Sequence, residues 1–315
     1  MKSVVVASGK GGTGKTTMTA AFAHLAARRL RVTVADADVE ASNLSLALHV
    51  RDVSCEAFRG GSKAVIDGDA CTGCGLCAGV CRFDAITQDV SGTFRVDPLA
   101  CEGCGRCAFV CELGAAVMTP STAGEACKGD SIVGPAAFGQ LGPGEDLSGK
   151  LVTEVRRLAA DAAERHECDV LFIDGPPGIG CPLIAAVASA DLLVAVAEPT
   201  VSGAHDLGRL ADLAGRLHLP VRVLLNKADL SEDGAARIRQ LCASRGLTLL
   251  AEVPFEPALG VLLEVMAEGA EGVSSDGTNG LREVAGAWAT IARELGLEDD
   301  TRDLPRSRLN EAPMR

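Results

Sequence analysis

Residues 3–17, SVVVASGKGGTGKTT, constrain the fold more than any other stretch of the chain. A short apolar run gives way to a glycine-rich loop, and TTMTAAFAHLAARRL then carries a helical pattern. Gly9-Lys10-Gly11-Gly12-Thr13-Gly14-Lys15-Thr16 fits G-x-x-x-x-G-K-[ST] in the strand–loop–helix setting that the motif requires. Its glycines let backbone N–H groups turn inward around phosphate oxygens, and the helix N-terminus adds partial positive charge. The pattern predicts that Lys15 reaches the β- and γ-phosphates and that Thr16 ligates Mg²⁺, with Thr17 closing the loop. A chance glycine-rich turn is the alternative, and both flanks argue against it.

The rest of the chain repeats strand then helix. RVTVA at 31–35 reads as a strand, SGKLVTEVRRLAADAAERH as a helix, DVLFID as a strand and IAAVASA as helix-like. DLLVAVA, VRVLLN and LTLLAEV read as further strands, with GAHDLGRLADLAGRL and EDGAARIRQLCASR as helices between them. Alternation of this kind predicts an α/β fold, a mostly parallel sheet covered on both faces. Residues 1–62 and 120–298 are expected to form this discontinuous domain. The segment 120–147, rich in Gly and Pro, reads as loop-like. A closing helix at about 281–295 puts Leu281, Val284, Trp288, Ile291 and Leu295 on one face, which reads as core packing, with a membrane-binding helix as the alternative. The polar tail, 299–315, reads as disordered.

Composition removes several classes of function. A formal net charge of −12 argues against a general nucleic-acid surface. Tyr is absent and Trp occurs once, so there is no aromatic platform for stacking bases. No apolar run approaches the ~20 residues that span a bilayer, so no stable membrane insertion is expected. The start of the chain reads as a strand rather than a signal peptide, and the protein reads as cytoplasmic.

In that compartment thirteen cysteines argue against a disulfide framework. Eight fall in two runs offset by thirty residues, CTGCGLCAGVC from Cys71 and CEGCGRCAFVC from Cys101. Both have the C-x2-C-x2-C-x3-C spacing of bacterial ferredoxins. Three cysteines of one run bend around one cluster, and the fourth reaches the other cluster. Cys71, Cys74, Cys77 and Cys111 are thus expected to hold one [4Fe–4S] cluster, and Cys101, Cys104, Cys107 and Cys81 a second. Ferredoxins usually carry Pro after the fourth cysteine, where this chain has Arg82 and Glu112. Structural zinc is the alternative, although its sites generally pair two C-x2-C units across a longer spacer. Residues 63–119, with four Lys/Arg against seven Asp/Glu, are expected to be a small ferredoxin-like α+β insert.

KGGTGKT, with its extra Lys10, resembles the deviant Walker A loop of the MinD/ParA/nitrogenase iron protein family of ATPases. The resemblance covers residues 1–50 and about 148–295, and it implies an ATP-sandwich homodimer or heterodimer in which Lys10 reaches the partner's nucleotide. It also implies that Asp38, in VADAD, orients the attacking water, and that Asp174, before GPPG, holds Mg²⁺ through water. The bland reading of either aspartate is a turn or helix cap at a strand end. Asn226-Lys227-Ala228-Asp229 spells the NKxD guanine motif of GTPases, yet relatives with the Lys10-type loop read adenine with the Asn. ATP is the expected nucleotide, and GTP stays open. With the cysteine runs included, the chain resembles MinD-superfamily ATPases that carry an inserted ferredoxin domain.

Cys181 stands seven positions after Asp174. The nitrogenase iron protein has a ligand cysteine at that offset, which implies a third cluster shared across the dimer; the alternative is a small buried residue. Cys127 is placed in the loop before the helix at 148–166, while Cys55, Cys168 and Cys242 read as packing. The functional expectation is a dimeric ATPase, slow without its partner, whose nucleotide state gates electron transfer or metalloprotein maturation. Its partners would be a redox donor or acceptor, or a client metalloprotein. The alternatives are an iron–sulfur carrier or scaffold ATPase, and a spatial organiser like MinD or ParA with redox-sensing clusters.

Overall fold

The structure is a computed structural model that describes residues 1–257, Leu259 and 279–297. Chain order runs β1 (Lys2–Ser8), α1 (Lys15–Ala27), β2 (Val32–Asp36), α2 (Leu44–Ala47) and β3 (Arg51–Phe58). A small unit follows, with β4 (Gly61–Ile66), α3 (Leu76–Gly79), β5 (Ile86–Gln88), β6 (Phe94–Val96), α4 (Arg106–Val110) and β7 (Ala116–Ser121). The chain then returns through β8 (Gly124–Ser131), β9 (Gly134–Leu141), α5 (Ser148–Arg165), β10 (Val170–Pro177), α6 (Cys181–Val187) and β11 (Leu192–Ala197). It ends with α7 (Val201–Arg216), β12 (Val221–Asn226), α8 (Glu232–Arg245), β13 (Thr248–Val253) and α9 (Asn279–Leu295).

The main sheet has nine strands in the order β13-β12-β11-β1-β10-β2-β9-β8-β3. Every pairing from β13 to β9 is parallel, and β8 and β3 extend that sheet antiparallel. The α/β class with a mostly parallel sheet is therefore the one expected from the alternation. β1 shows why a continuous apolar run suits the sheet centre. Val4 and Val6 enter the core under α1 and α9, while Val5 and Ala7 enter the opposite core under α5, α6, α7 and α8. Successive side chains point to opposite faces, so a strand covered on both sides must be apolar at every position. In the first core Trp288 packs 5.3 Å from Phe172 and 6.4 Å from Phe22, centroid to centroid. The α9 stripe of Leu281, Val284, Trp288 and Ile291 is buried, with Leu295 packed against it, so that face is core. The tail expected at 299–315 lies outside the described residues.

Two expectations need correction. The segment 120–147 is not a loop: β8 and β9 form a hairpin, and β9 pairs in parallel with β2. Its glycines are there for contact. A Cβ on Gly139 would stand 2.8 Å from Val155 Cγ2 and 3.0 Å from Leu151 Cγ, so only glycine lets α5 lie this close to the sheet. The second correction concerns Cys127 and Cys55. Cys127 lies in β8 directly opposite Cys55 of β3, and the two are joined by a disulfide. Cys55 is exposed, so it is a cross-strand linkage rather than a packing residue. Cys168 and Cys242 are buried thiols.

In the small unit β4 pairs antiparallel with β7, and β5 with β6. Each cysteine run feeds one short helix, α3 or α4, behind a left-handed glycine. Ala64, Cys77, Ile86 and Cys107 are buried at its centre, with Phe94 and Met118 packed around them. The unit is tied to the larger domain by an ion pair between Lys63 Nζ and Glu145 Oε1 at 2.7 Å and by a hydrogen bond that Lys150 donates to Gly60 O; Lys63 also donates to Pro98 O within the unit.

Candidate functional site

Three strands deliver the polar groups of the site at their carboxyl ends. β1 leads into residues 9–14, β2 ends at Asp36, and β10 carries Asp174, paired in register with both Val6 and Asp36. The loop closes onto α1 through Gly14, whose left-handed backbone (φ +91°) a side chain would strain. A Cβ there would also stand 2.4 Å from the Asn226 amide.

Lys15 is buried beneath the loop. Thr16 Oγ1 donates to Asp174 Oδ2 at 2.6 Å, and Thr19 Oγ1 donates to Asp174 Oδ1 at 3.1 Å. Asp36 accepts from Ser42 Oγ and from the backbone N–H groups of Asp38 and Leu44. Burial pushes the Asp174 carboxyl up to about 7, the neighbouring Asp36 charge adds to that, and the Thr16 hydrogen bond and the charge of Lys15 oppose it. Burial likewise raises Asp36, to about 6. Asp38 is half-buried; burial raises it and the Lys15 charge holds it back. Paired carboxylates that ionise reluctantly without a counter-ion are the electrostatic signature of a cation site.

A cleft of about 600 Å³ opens over these groups, lined by Gly12, Lys15, Thr16, Thr17, Asp38 and Pro177 among others. That volume suits a nucleotide. The Thr13 hydroxyl is buried in the loop with no hydrogen-bond partner among the described residues. Asn226 sits underneath, donating from Nδ2 to Thr13 O at 2.8 Å. Asp229 is set apart from it, with Oδ1 accepting from Phe255 N at 2.6 Å. Lys10 Nζ lies 2.9 Å from Glu198 Oε2. Glu198 was invisible to motif reading, because nothing in AEPT announces a carboxylate at the loop.

The cysteine runs meet around two further cavities. One is walled by Cys71, Cys74, Cys77 and Cys111, the other by Cys101, Cys104, Cys107 and Cys81. Ala64 N donates to Cys101 Sγ at 3.5 Å. Cys111 is held below the usual thiol range, chiefly by its hydrogen bond with the Ala116 backbone. Burial pushes Cys77 and Cys107 up. Four soft sulfur donors around each cavity suit an iron–sulfur cluster or zinc. Cys181 is exposed at the first turn of α6, so it is not a small buried residue. Glu125 has a ligating atom within 4.8 Å of the Cys55 and Cys127 sulfurs, which the disulfide already occupies.

A parallel sheet, a phosphate loop between its central strand and a helix, and acidic groups at neighbouring strand ends define a P-loop nucleotide-binding protein. More closely, the chain belongs to the CobQ/CobB/MinD/ParA nucleotide-binding family, whose sequence profile matches residues 4–264. It is 34% identical over 225 residues to the uncharacterized protein MJ0578 of Methanocaldococcus jannaschii, covering 71% of this chain and 77% of that one. The Pyrococcus horikoshii septum site-determining protein MinD, solved with Mg-ADP, superposes with a TM-score of 0.52 at 20% identity, over 94% of this chain and 98% of that one. Cyanothece McdA, solved as an ATP complex, gives 0.53 at 18%, over 96% and 99%. At such identities these two structures establish the shared fold. Among the described residues no helix is long and apolar enough to cross a membrane.

Proposed function

We propose that this chain is a dimeric ATPase carrying two [4Fe–4S] clusters, in which nucleotide state gates electron delivery or the maturation of a client metalloprotein. The observation that carries the reading is the interleaving of the two cysteine runs. Cys111 joins the first trio and Cys81 joins the second, so each cavity has four thiols drawn from both repeats. Zinc sites need no such exchange, whereas two-cluster ferredoxins depend on it. The clusters would supply one-electron chemistry. The chain's own residues supply the rest: Lys15 and the loop amides bind phosphate, Thr16 and Asp174 hold Mg²⁺, and Asp38 orients water. Lys10 reaches the nucleotide of a second copy, and exposed Cys181 is available to a cluster shared between copies. Asn226 braces the loop, donating to Thr13 O and accepting from Lys227 N, and ATP is the nucleotide of this reading because the Lys10-type loop resembles that of ATPases.

The test is iron and sulfide analysis of anaerobically purified protein, with EPR after dithionite reduction in the presence and absence of Mg-ATP. About eight irons per chain, with spectra that change on adding ATP, support the proposal. About ten irons would add the cluster shared at Cys181. Zinc in place of iron overturns it.

The likeness to MinD and McdA favours a second reading, a spatial organiser whose clusters only sense redox state. Spectra indifferent to ATP, together with ATP-dependent self-assembly, would select that reading.

A further inference from the structure

Two lysines converge on one carboxylate at the rim of the phosphate loop. Glu198, just past the end of β11, has Oε2 2.9 Å from Lys10 Nζ and accepts through Oε1 from Lys227 Nζ at 2.6 Å. Its side chain is only 12% exposed. An anion at this place is costly, because it repels the phosphates the loop is built to hold. Burial works against the charge, yet the two lysines outweigh it and keep the Glu198 carboxyl below its usual range.

The lysines are held very differently. Lys227 is fixed by a left-handed backbone (φ 57°), by its N–H donating to Asn226 Oδ1, and by Nζ also donating to Gly12 O at 2.8 Å. For the Lys10 ammonium, Glu198 is the single ion-pair partner among the described residues, and its side chain is 35% exposed. One lysine is built in and the other is exchangeable.

We propose that Glu198 is a positioning residue that holds Lys10 within its own chain and releases it when a second copy presents ATP phosphates, while Lys227 remains as the carboxylate's counter-ion. The proposal rests on the reading of Lys10 as a group that acts across a dimer. Its chemistry is an exchange of ion pairs, with no covalent step. Removing the sole partner of a buried charge is expensive, and Lys227 avoids that cost because Glu198 is never left unpaired. Lys10 trades one shared carboxylate for a triphosphate, which carries more charge, so the exchange is favoured only when ATP is there.

The experiment uses the full chain and the variants E198Q, K10A, K227M and E198Q/K10A. Lys10 reactivity toward acetic anhydride, read by mass spectrometry on nucleotide-free protein, reports the holding contact directly. Losing the ion pair should make Lys10 about three- to tenfold more reactive in E198Q, because the amine is no longer held against the Glu198 carboxylate. The ATP-dependent dimer, measured by sedimentation, should tighten about three- to tenfold in E198Q. In the K10A background E198Q should no longer tighten the dimer. Equal Lys10 reactivity in wild type and E198Q overturns the proposal. So does an E198Q effect that survives in K10A and is reproduced by K227M, which would make Glu198 a support for Lys227 and the loop. A wild-type chain that stays monomeric with Mg-ATP overturns the release step together with the dimer reading, whereas the labelling result still decides the holding contact by itself.

Discussion

Asp36 and Asp174 stand side by side on adjacent parallel strands, and both are buried. Burial makes both reluctant to ionise; the Asp36 charge adds to the cost for Asp174, and the Asp38 charge adds to it for Asp36. Folding then favours the protonated forms. The stabilisation is complete below the ordinary carboxylate range near pH 4 and is lost as pH rises through about 6 for Asp36 and about 7 for Asp174. Nucleotide-free protein should therefore gain less stability than its other groups would give between pH 5 and pH 8, and D174N should flatten that part of the curve. Mg²⁺ with ADP supplies the missing counter-charge, so the melting temperature gained on adding Mg-ADP should be greater at pH 7.5 than at pH 5.5. Thermal unfolding at the two pH values, with and without Mg-ADP, measures both effects.

The hydroxyl of Thr16 and the ammonium of Lys15 serve different partners. Thr16 addresses Asp174, and Lys15 lies under the loop near both Asp174 and Asp38. K15A should reduce ATP hydrolysis by about a hundredfold or more, because Lys15 stabilises charge developing on the transferred phosphoryl group. T16A should instead raise the Mg²⁺ concentration needed for half-maximal activity. Titrating Mg²⁺ at saturating ATP separates the two variants.

How far the sequence could be read depended on whether an element announces itself locally. The loop at 9–16 and β1, β10, β11 and β12 were legible because a motif or an unbroken apolar run marks each of them. The hairpin of β8 and β9 was not. Its glycines look like turn residues, and their reason, the close approach of Val155 and Leu151 to Gly139, lies in another element. Cys55 and Cys127 could not be paired without the register of β3 on β8. Glu198 became a site residue only when the sheet brought the end of β11 beside the loop that follows β1. The cysteine spacing carried its own grouping, and the two cavities contain those same sets of four.

The interleaved cavities make a sharp prediction about single cysteines. C111S and C81S each remove the fourth thiol from one cavity and leave the other complete. Each should lower bound iron from about eight to about four or five per chain, with opposite cavities affected. C181S should leave that iron in place. Iron analysis and EPR of the three variants read the outcome.

Trp288 ties α9 to the sheet through Phe172 and to α1 through Phe22. W288A leaves a cavity in a close-packed core and should cost about 3–5 kcal/mol. Urea unfolding should show a lower midpoint. ATP hydrolysis should be retained well below the transition, because the ring packs on Phe172 and Phe22, which are not site residues.

The nucleotide site and the cysteine unit are connected through one short segment. Asp174 lies on β10, which runs on to Cys181 at the start of α6, and Gly149 near the start of α5 rests against the Cys181 main chain. Lys150 on the next position donates to Gly60 O at the base of β4, and Glu145 pairs with Lys63 within β4. Movement of the segment after Asp174 would therefore reach the cysteine unit through residues 145–150. The Lys63–Glu145 pair is the place to break this route, since both side chains are largely buried and lie away from the loop. E145Q keeps the size of the side chain and removes its charge. It should leave iron content and basal ATP hydrolysis near wild type and should weaken the change in the EPR spectrum on adding Mg-ATP. K63M should do the same and also gives up the hydrogen bond to Pro98 O, so the double variant should be no worse than K63M alone. An undiminished ATP effect in both variants would show that residues 145–150 hold the unit in place without carrying nucleotide state to it.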